Sequence, residues 1–266
     1  MKKNPNPFTL LIIAQIIVTC LWTTGIAQAK DGLSIYEAIN ISGHQRMLTQ
    51  RIIKTYAQSG LGIQSEAADN QRKKALDLFE RQLDKLLNQA ALTPRIRGTL
   101  ARIALQWQPF KRIANSKPNS HSGEALYHSG EELLFASHRL VQLLQDHANS
   151  SKGRLINLSG RQRMLSQRMA MLSMMRAWGF RSLSINNELA RAKLEFSAAH
   201  EMLKFAPENT EAIAVELNHI STQWDWFQKA LSLDSDEAYQ LIVAESSESI
   251  LDSMDKLTRL YEKLAS

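Results

Sequence analysis

From residue 33 onward, apolar residues recur at spacings of three and four, the periodicity of one buried face of an α-helix. Strand-like alternation of apolar and polar residues is absent. Turn-forming residues interrupt the pattern, as at 116–120, and Pro94 suits the first turn of a helix. The pattern therefore predicts an all-α fold with eight helices, at about 33–59, 67–91, 94–114, 123–147, 155–180, 187–205, 210–231 and 236–264.

One segment of the chain occurs twice. Residues 39–51 read INISGHQRMLTQR and residues 156–168 read INLSGRQRMLSQR, and we call these segments the two boxes. The same offset of 117 positions pairs Trp107 with Trp224 and Phe79 with Phe196. Because one register holds through both halves, the chain is a tandem duplication with four helices per half, and the paired aromatic residues are predicted core anchors.

Four antiparallel helices with short connections close around one core as an up-down-up-down bundle. Two such bundles account for residues 30–148 and 149–266. The segment joining them, 148–153, is short, polar and rich in turn-forming residues. A tight reversal there would place the first helices of the two bundles side by side and parallel, whereas a continuous helix would stack the bundles end to end.

The first 29 residues have the features of a cleaved signal peptide. Lys2 and Lys3 precede a mostly apolar run at 8–22, and Ala-Gln-Ala at 27–29 is a small-residue cleavage signal. The run is shorter than the roughly 20 residues of a membrane-spanning helix. We therefore expect a periplasmic protein without disulfides, since the one cysteine, Cys20, is removed with the peptide.

Charge and motifs exclude several function classes. The net charge of +6 falls to +4 without Lys2 and Lys3, and the remaining charges alternate in sign, which predicts a solvated surface and no nucleic-acid partner. No nucleophile elbow, phosphate loop or catalytic triad signal is present, so we expect neither an enzyme nor a cofactor. The histidines around the fourth helix lack metal-ligand spacing, so no metal site is predicted.

The boxes carry the candidate chemistry. A guanidinium stays charged and offers five donors in a planar fork, so Arg46 and Arg163 suit an oxyanion. Gly43 and Gly160 each cost about 1 kcal/mol in a helix interior, which the close approach of another helix or of a ligand would offset. In the alternative interpretation, both arginines pair with carboxylates on neighbouring helices and serve the fold.

Both boxes resemble the signature of the PilJ/NarX-like N-terminal sensor domain, which lies outside the membrane in type IV pili chemotaxis transducers and nitrate/nitrite sensor kinases. The resemblance implies two tandem copies of a four-helix bundle that dimerises through its first helix. In nitrate-sensing members, the first arginine of the box in each subunit holds the anion. That role falls on Arg46 and Arg163, with Gly43 and Gly160 allowing close helix approach. The other box residues expected to support the site are Asn40, Asn157, Gln50, Gln167, Arg51 and Arg168.

These features predict a freestanding sensor or binding module for a small oxyanion such as nitrate or nitrite. Since the chain contains two first helices, it would supply both arginines itself, as an intrachain pseudo-dimer. The family's transmembrane and output regions are missing, so a separate membrane-bound sensor or chemotaxis protein would report binding. The alternative is a structural or assembly protein of the envelope or a pilus that keeps the fold without a ligand. Carboxylate partners for the two arginines would favour this alternative.

Overall fold

The computed structural model describes residues 32–89, 92–180, 183–232 and 237–265, with the side chains of Leu183 and Glu237 left out. These residues form helices and no strand, which confirms the predicted all-α fold. The helices are α1 Ile35–Gly60, α2 Ser65–Leu87, α3 Pro94–Ala114, α4 Ser120–Ala148, α5 Ser151–Ala177, α6 Leu183–Lys204, α7 Glu211–Ala230 and α8 Glu237–Ala265. The predicted signal peptide lies outside the described residues.

Polar caps set the helix starts. Ser34 accepts a hydrogen bond from the backbone N–H of Glu37, whose carboxylate in turn accepts from the backbone N–H of Ser34, a capping box that satisfies two free donors. Thr93 caps α3 directly before Pro94. Such caps explain why helices begin where the apolar periodicity begins.

The chain reverses tightly between α4 and α5. Asn149 ends α4 in the left-handed conformation, with φ of 43°, and Ser150 caps α5 by accepting a hydrogen bond from the backbone N–H of Gly153. α5 consequently starts four residues earlier than predicted. The structure has this reversal and not the continuous helix that would stack the two halves end to end.

Helices α1 and α5 lie side by side, parallel and in register. Pairs of residues at or near equivalent positions of the two halves meet from one end to the other: Ile39 with Gly153, Gly43 with Gly160, Gln50 with Arg168, and Gly60 with Trp178. α1 packs also against α2 and α4, and α5 against α6 and α8, while α3 and α7 complete the two sets of four. The described residues from Leu33 onward form one compact unit.

The predicted aromatic anchors are buried in duplicate. Phe79 stacks on Trp107 with ring centroids 4.0 Å apart, and Phe196 stacks on Trp224 at 4.3 Å. The apolar faces of all eight helices contribute to one continuous core. Burial of this apolar surface is the main stabilising contribution to the fold.

Within the described ranges, no helix combines the length and the apolar character that crossing a membrane requires.

Candidate functional site

The two boxes meet where α1 and α5 approach most closely. A Cβ added to Gly43 would lie 3.9 Å from the Cα of Gly160, 3.3 Å from Nη2 of Arg163 and 3.4 Å from Nη2 of Arg46. A Cβ added to Gly160 would likewise lie 3.9 Å from the Cα of Gly43, 3.2 Å from Nη2 of Arg163 and 3.5 Å from Nη2 of Arg46. The glycines therefore leave the space in which the two helix backbones and both guanidiniums come together.

Arg46 and Arg163 are completely buried, and each reaches across to the other helix. Nη2 of Arg46 donates to the backbone carbonyl of Asn157 at 3.4 Å, and Nη2 of Arg163 donates to that of Asn40 at 3.3 Å. The side-chain Oδ1 of Asn40 accepts a further bond from Arg163 at 2.7 Å. Nε of both arginines has no hydrogen-bond partner. Up to this point the two halves are nearly equivalent.

The equivalence ends at the fourth helix of each half, where His138 of α4 and Asp255 of α8 hold the same position in the duplication. Nη1 of Arg163 donates to Oδ1 of Asp255 at 2.5 Å, a salt bridge within the second half. Nη1 of Arg46 instead lies 3.3 Å from Nδ1 of His138. Among the described residues Arg46 forms no ion pair, so its buried charge lacks the carboxylate that Arg163 has.

The pKa values of the groups around the two arginines are shifted from their ordinary values. Burial, together with the positive charges of Arg161 and Arg163, lowers the pKa of Arg46 to about 9. Burial and the neighbouring guanidiniums of Arg46 and Arg161 lower the pKa of His138 to about 4, so this imidazole is neutral at neutral pH. For Asp255, burial is outweighed by the hydrogen bond from His44 and the charge of Arg163, which hold its pKa well below the usual range.

A cleft of about 480 Å³ opens beside Arg46, between α4, α5 and α6. At one end lie Arg46, His138 and Arg161, whose Nη1 is 3.4 Å from the same His138 Nδ1 and whose Nε pairs with Glu195. At the other end, Arg168 pairs with Glu131 at 2.6 Å and with a second carboxylate on α6. Apolar side chains line the stretch between these charged ends.

The second arginines of the boxes connect the two halves. Arg51 of α1 pairs with Glu248 of α8, and Arg168 of α5 pairs with Glu131 of α4. Each salt bridge therefore joins the first helix of one half to the fourth helix of the other.

The remaining box residues form local contacts near the crossing. Asn157 Nδ2 donates to Gln145 at 2.6 Å, Gln167 Nε2 donates to the Ser247 carbonyl at 3.1 Å, and Gln50 Oε1 accepts from Arg168 at 3.0 Å. These contacts hold α5 against α4, α8 and α1. None of these three side chains lines the cleft beside Arg46.

Sequence reasoning did not single out Arg161 or Asp255, and considered His138 only as a metal ligand. Among the described residues no group of three or more histidines, cysteines or carboxylates is arranged to hold a metal ion. Aligning the two halves provides the signal that was missed, because positions 138 and 255 differ in charge, as do positions 44 and 161. Such differences within a duplication mark where the two halves have diverged electrostatically.

His138 should make the stability of the protein depend on pH. Its pKa of about 4 in the folded state lies below the ordinary 6.5, so the unfolded chain binds more protons between these values. The contribution of His138 to the free energy of unfolding is therefore fully present above pH 6.5 and is lost as the pH drops toward 4. The free energy of unfolding should therefore decrease on acidification by about 1–2 kcal/mol less in His138→Gln than in the parent, after allowance for partial solvent screening.

Urea unfolding of the parent and His138→Gln at pH 7 and pH 4.5 measures this effect. His121→Gln, at an exposed position of the same helix, is the control and should keep the parent's pH dependence. Burial also lowers the pKa values of His44 and His200, so part of the decrease in stability on acidification remains in every variant. Equal losses for the parent and His138→Gln would contradict the prediction.

Comparison with known proteins supports the resemblance for the first half of the chain. Residues 33–133 match the family model described as "Type IV pili methyl-accepting chemotaxis transducer N-term". The match covers α1 to α3 and part of α4, and does not extend to the second half. No curated protein and no solved structure matches the chain. The first half is thus similar to the N-terminal domain of these chemotaxis transducers.

Proposed function

We propose that this chain is a periplasmic sensor or binding module that holds one small oxyanion, nitrate or nitrite in the first instance, where α1 crosses α5. Binding is reported by a separate membrane-bound sensor or chemotaxis protein. The observation that carries the proposal is the completely buried Arg46. Its Nε has no hydrogen-bond partner, its Nη1 lies against a neutral histidine, and it forms no ion pair with a carboxylate among the described residues.

A buried guanidinium without a counter-ion is unfavourable because burial removes its hydration. An anion that enters from the cleft would restore the missing charge balance. Each charge-assisted hydrogen bond to it would contribute about 1.5–3 kcal/mol. In this proposal Arg46 is the principal ligand, and Arg163, already paired with Asp255, has the lesser role.

The duplication gives the proposal its architecture. Each half, residues 30–148 and 149–266, is one copy of the sensor domain, and α1 and α5 take the places of the two first helices of a family dimer. The parallel, in-register packing of these helices and the shared glycine crossing support this intrachain pseudo-dimer. One chain would then bind one ligand, without needing a second copy.

Calorimetric titration of the purified chain with nitrate, nitrite, sulfate and chloride tests the proposal. We expect nitrate or nitrite to bind, and Arg46→Ala to weaken binding by about tenfold or more. Arg46→Lys should restore affinity only in part, since it keeps the charge but loses the planar fork. The absence of binding for every anion in the parent would refute an anion-binding role.

His138→Asp gives a sharper comparison, because it copies the second-half residue into the first half. The new carboxylate should pair with Arg46 as Asp255 pairs with Arg163, and so compete with the anion and abolish binding. His147→Asp, at an exposed position of the same helix, adds the same charge away from the site and should leave binding unchanged. Unaltered affinity in His138→Asp would show that Arg46 is not the ligand.

A second candidate function has its own supporting observation. Arg163, Arg51 and Arg168 all have carboxylate partners, as expected if these arginines serve the fold. In this interpretation the chain is a structural or assembly protein of the envelope or a pilus that needs no ligand. It predicts that no anion raises the melting temperature of the parent, whereas the binding proposal predicts an increase with nitrate.

A further inference from the structure

We infer that the cleft between α4, α5 and α6 binds an organic monoanion, a carboxylate or sulfonate that carries an aromatic or short aliphatic body. The inference rests on the proposed anion-binding role of Arg46 and extends it from the anionic group to the rest of the ligand. The acidic group would lie against Arg46 and Arg161, and the body would lie along the apolar part of the cleft, with Phe135 at its edge.

The size of the cleft supports a ligand larger than nitrate. Its volume of about 480 Å³ is within the roughly 300–1,000 Å³ that is usual for pockets that bind small organic molecules. One water molecule takes about 30 Å³ of liquid, so an inorganic anion of four atoms would fill a small part of the space. Most of the cleft volume would remain unfilled by an inorganic anion that contacts Arg46.

The charges of the lining favour a monoanion. Arg46 and Arg161 stand together at one end, and Glu195 balances one of them through its pairing with Arg161. His138, which accepts from both guanidiniums, contributes no charge at neutral pH. The lining as a whole has one positive charge in excess, which one acidic group on a ligand would neutralise. Its charged residues are Arg46, Arg161, Arg168 and Arg191 against Glu131, Glu188 and Glu195.

The apolar part of the cleft indicates the body of the ligand. Leu134, Met164 and Leu165 line the stretch between the charged ends, and Phe135 joins them with 66% of its surface exposed. An exposed phenyl ring adds little to the stability of the fold, because most of its surface remains in water. A ligand that covers it would remove that surface from water and gain free energy in doing so.

The second half of the chain provides an internal comparison. At the position equivalent to Phe135 it has the exposed Asp252, and at the position equivalent to His138 it has Asp255. The exposed aromatic ring and the arginine that forms no ion pair thus occur together in the first half, whereas the second half has aspartates at the positions of Phe135 and His138. This coincidence at one cleft links the two features to one ligand.

Titration of the full chain with benzoate, acetate, benzamide and nitrate tests the inference. We expect benzoate to bind at least tenfold more tightly than acetate, because acetate lacks the ring. Benzamide has the ring without the charge and should not bind measurably. Arg46→Ala should weaken benzoate binding by tenfold or more, as it does for nitrate.

Phe135→Asp separates this inference from the proposed function. It copies the second-half residue at an exposed position, so folding should be retained, and a thermal melt verifies this. Benzoate affinity should fall at least fivefold, while nitrate affinity changes less than twofold. Phe205→Asp, at a ring that is 79% exposed directly after α6 and does not line the cleft, should leave both affinities unchanged.

The contrary results are distinct. If nitrate binds but benzoate binds no better than acetate, the organic-anion inference is wrong and the proposed function stands. If benzoate binds and neither Phe135→Asp nor Arg46→Ala weakens it, the cleft is not its site. If no anion binds the parent, both proposals are wrong.

Discussion

Arg163→Ala is expected to lower the melting temperature of the ligand-free protein by about 5–10 °C, whereas Arg46→Ala should leave it unchanged or raise it slightly. Removing Arg163 deprives the largely buried Asp255 of a completely buried, charged partner. His44 and Arg259 still contact this carboxylate, so we expect a loss of about 2–3 kcal/mol, below the full cost of breaking a buried pair. Removing Arg46 eliminates a buried charge that forms no ion pair within the part of the chain that the structure describes.

Thermal melts of the parent and both alanine variants, with and without nitrate, measure this contrast. Nitrate should raise the melting temperature of the parent and leave that of Arg46→Ala unchanged. In Arg163→Ala combined with Asp255→Ala, part of the lost stability should return, because neither charge is left alone. Equal destabilisation by the two single alanine substitutions would show that Arg46 serves the fold in the same way as Arg163. The sequence alone leads one to expect equal behaviour, because both arginines occupy the same place in nearly identical boxes.

Gly60→Ala and Gly123→Ala are each expected to lower the free energy of unfolding by about 2–3 kcal/mol, because the new methyl group would overlap the Trp178 ring. A Cβ on Gly60 would lie 2.2 Å from Cζ2 of Trp178, and one on Gly123 would lie 2.5 Å from Cζ3. Trp178 follows directly after α5 and lies against the end of α1 and the beginning of α4. The ring cannot avoid the methyl group without leaving its position between the two halves.

Urea unfolding of these variants tests how tightly the halves are held together at this end. Gly98→Ala is the matched control, since apart from the adjacent backbone of α3 no atom of the described residues lies within 4 Å of the added Cβ, and it should stabilise α3 by about 0.5–1 kcal/mol. In a Trp178→Ala background the cost of Gly60→Ala should largely disappear. A Gly60→Ala variant as stable as the parent would show that Trp178 is not confined there.

Much of the fold could be predicted from local sequence. The eight helices follow from apolar periodicity, because helix packing against a core requires one apolar face every 3.6 residues. Pro94 begins α3 as predicted, and the segment 148–153 forms the tight reversal, one of the two arrangements that the sequence left open. The paired core aromatics follow from the constant offset of the duplication.

The electrostatic character of the candidate site could not be predicted in this way. Arg46 meets His138 and Arg163 meets Asp255, and in both pairs the two residues lie 92 positions apart along the chain. No local spacing shows which face of α4 or α8 will be turned toward the boxes. The sequence marks Arg46 and Arg163 as equivalent, and the residues that make them different lie on other helices.

The sequence by itself therefore determined the all-helical class, the duplication and the two arginine boxes, because each of these is encoded in local periodicity or in direct repetition. The tertiary structure alone decided that α1 and α5 pack in parallel through Gly43 and Gly160, that Arg163 is neutralised while Arg46 is not, and that a cleft opens beside Arg46. The physical reason is that the environment of a buried charge depends on every helix packed around it. Two nearly identical boxes can thus acquire different chemistry from single substitutions on neighbouring helices.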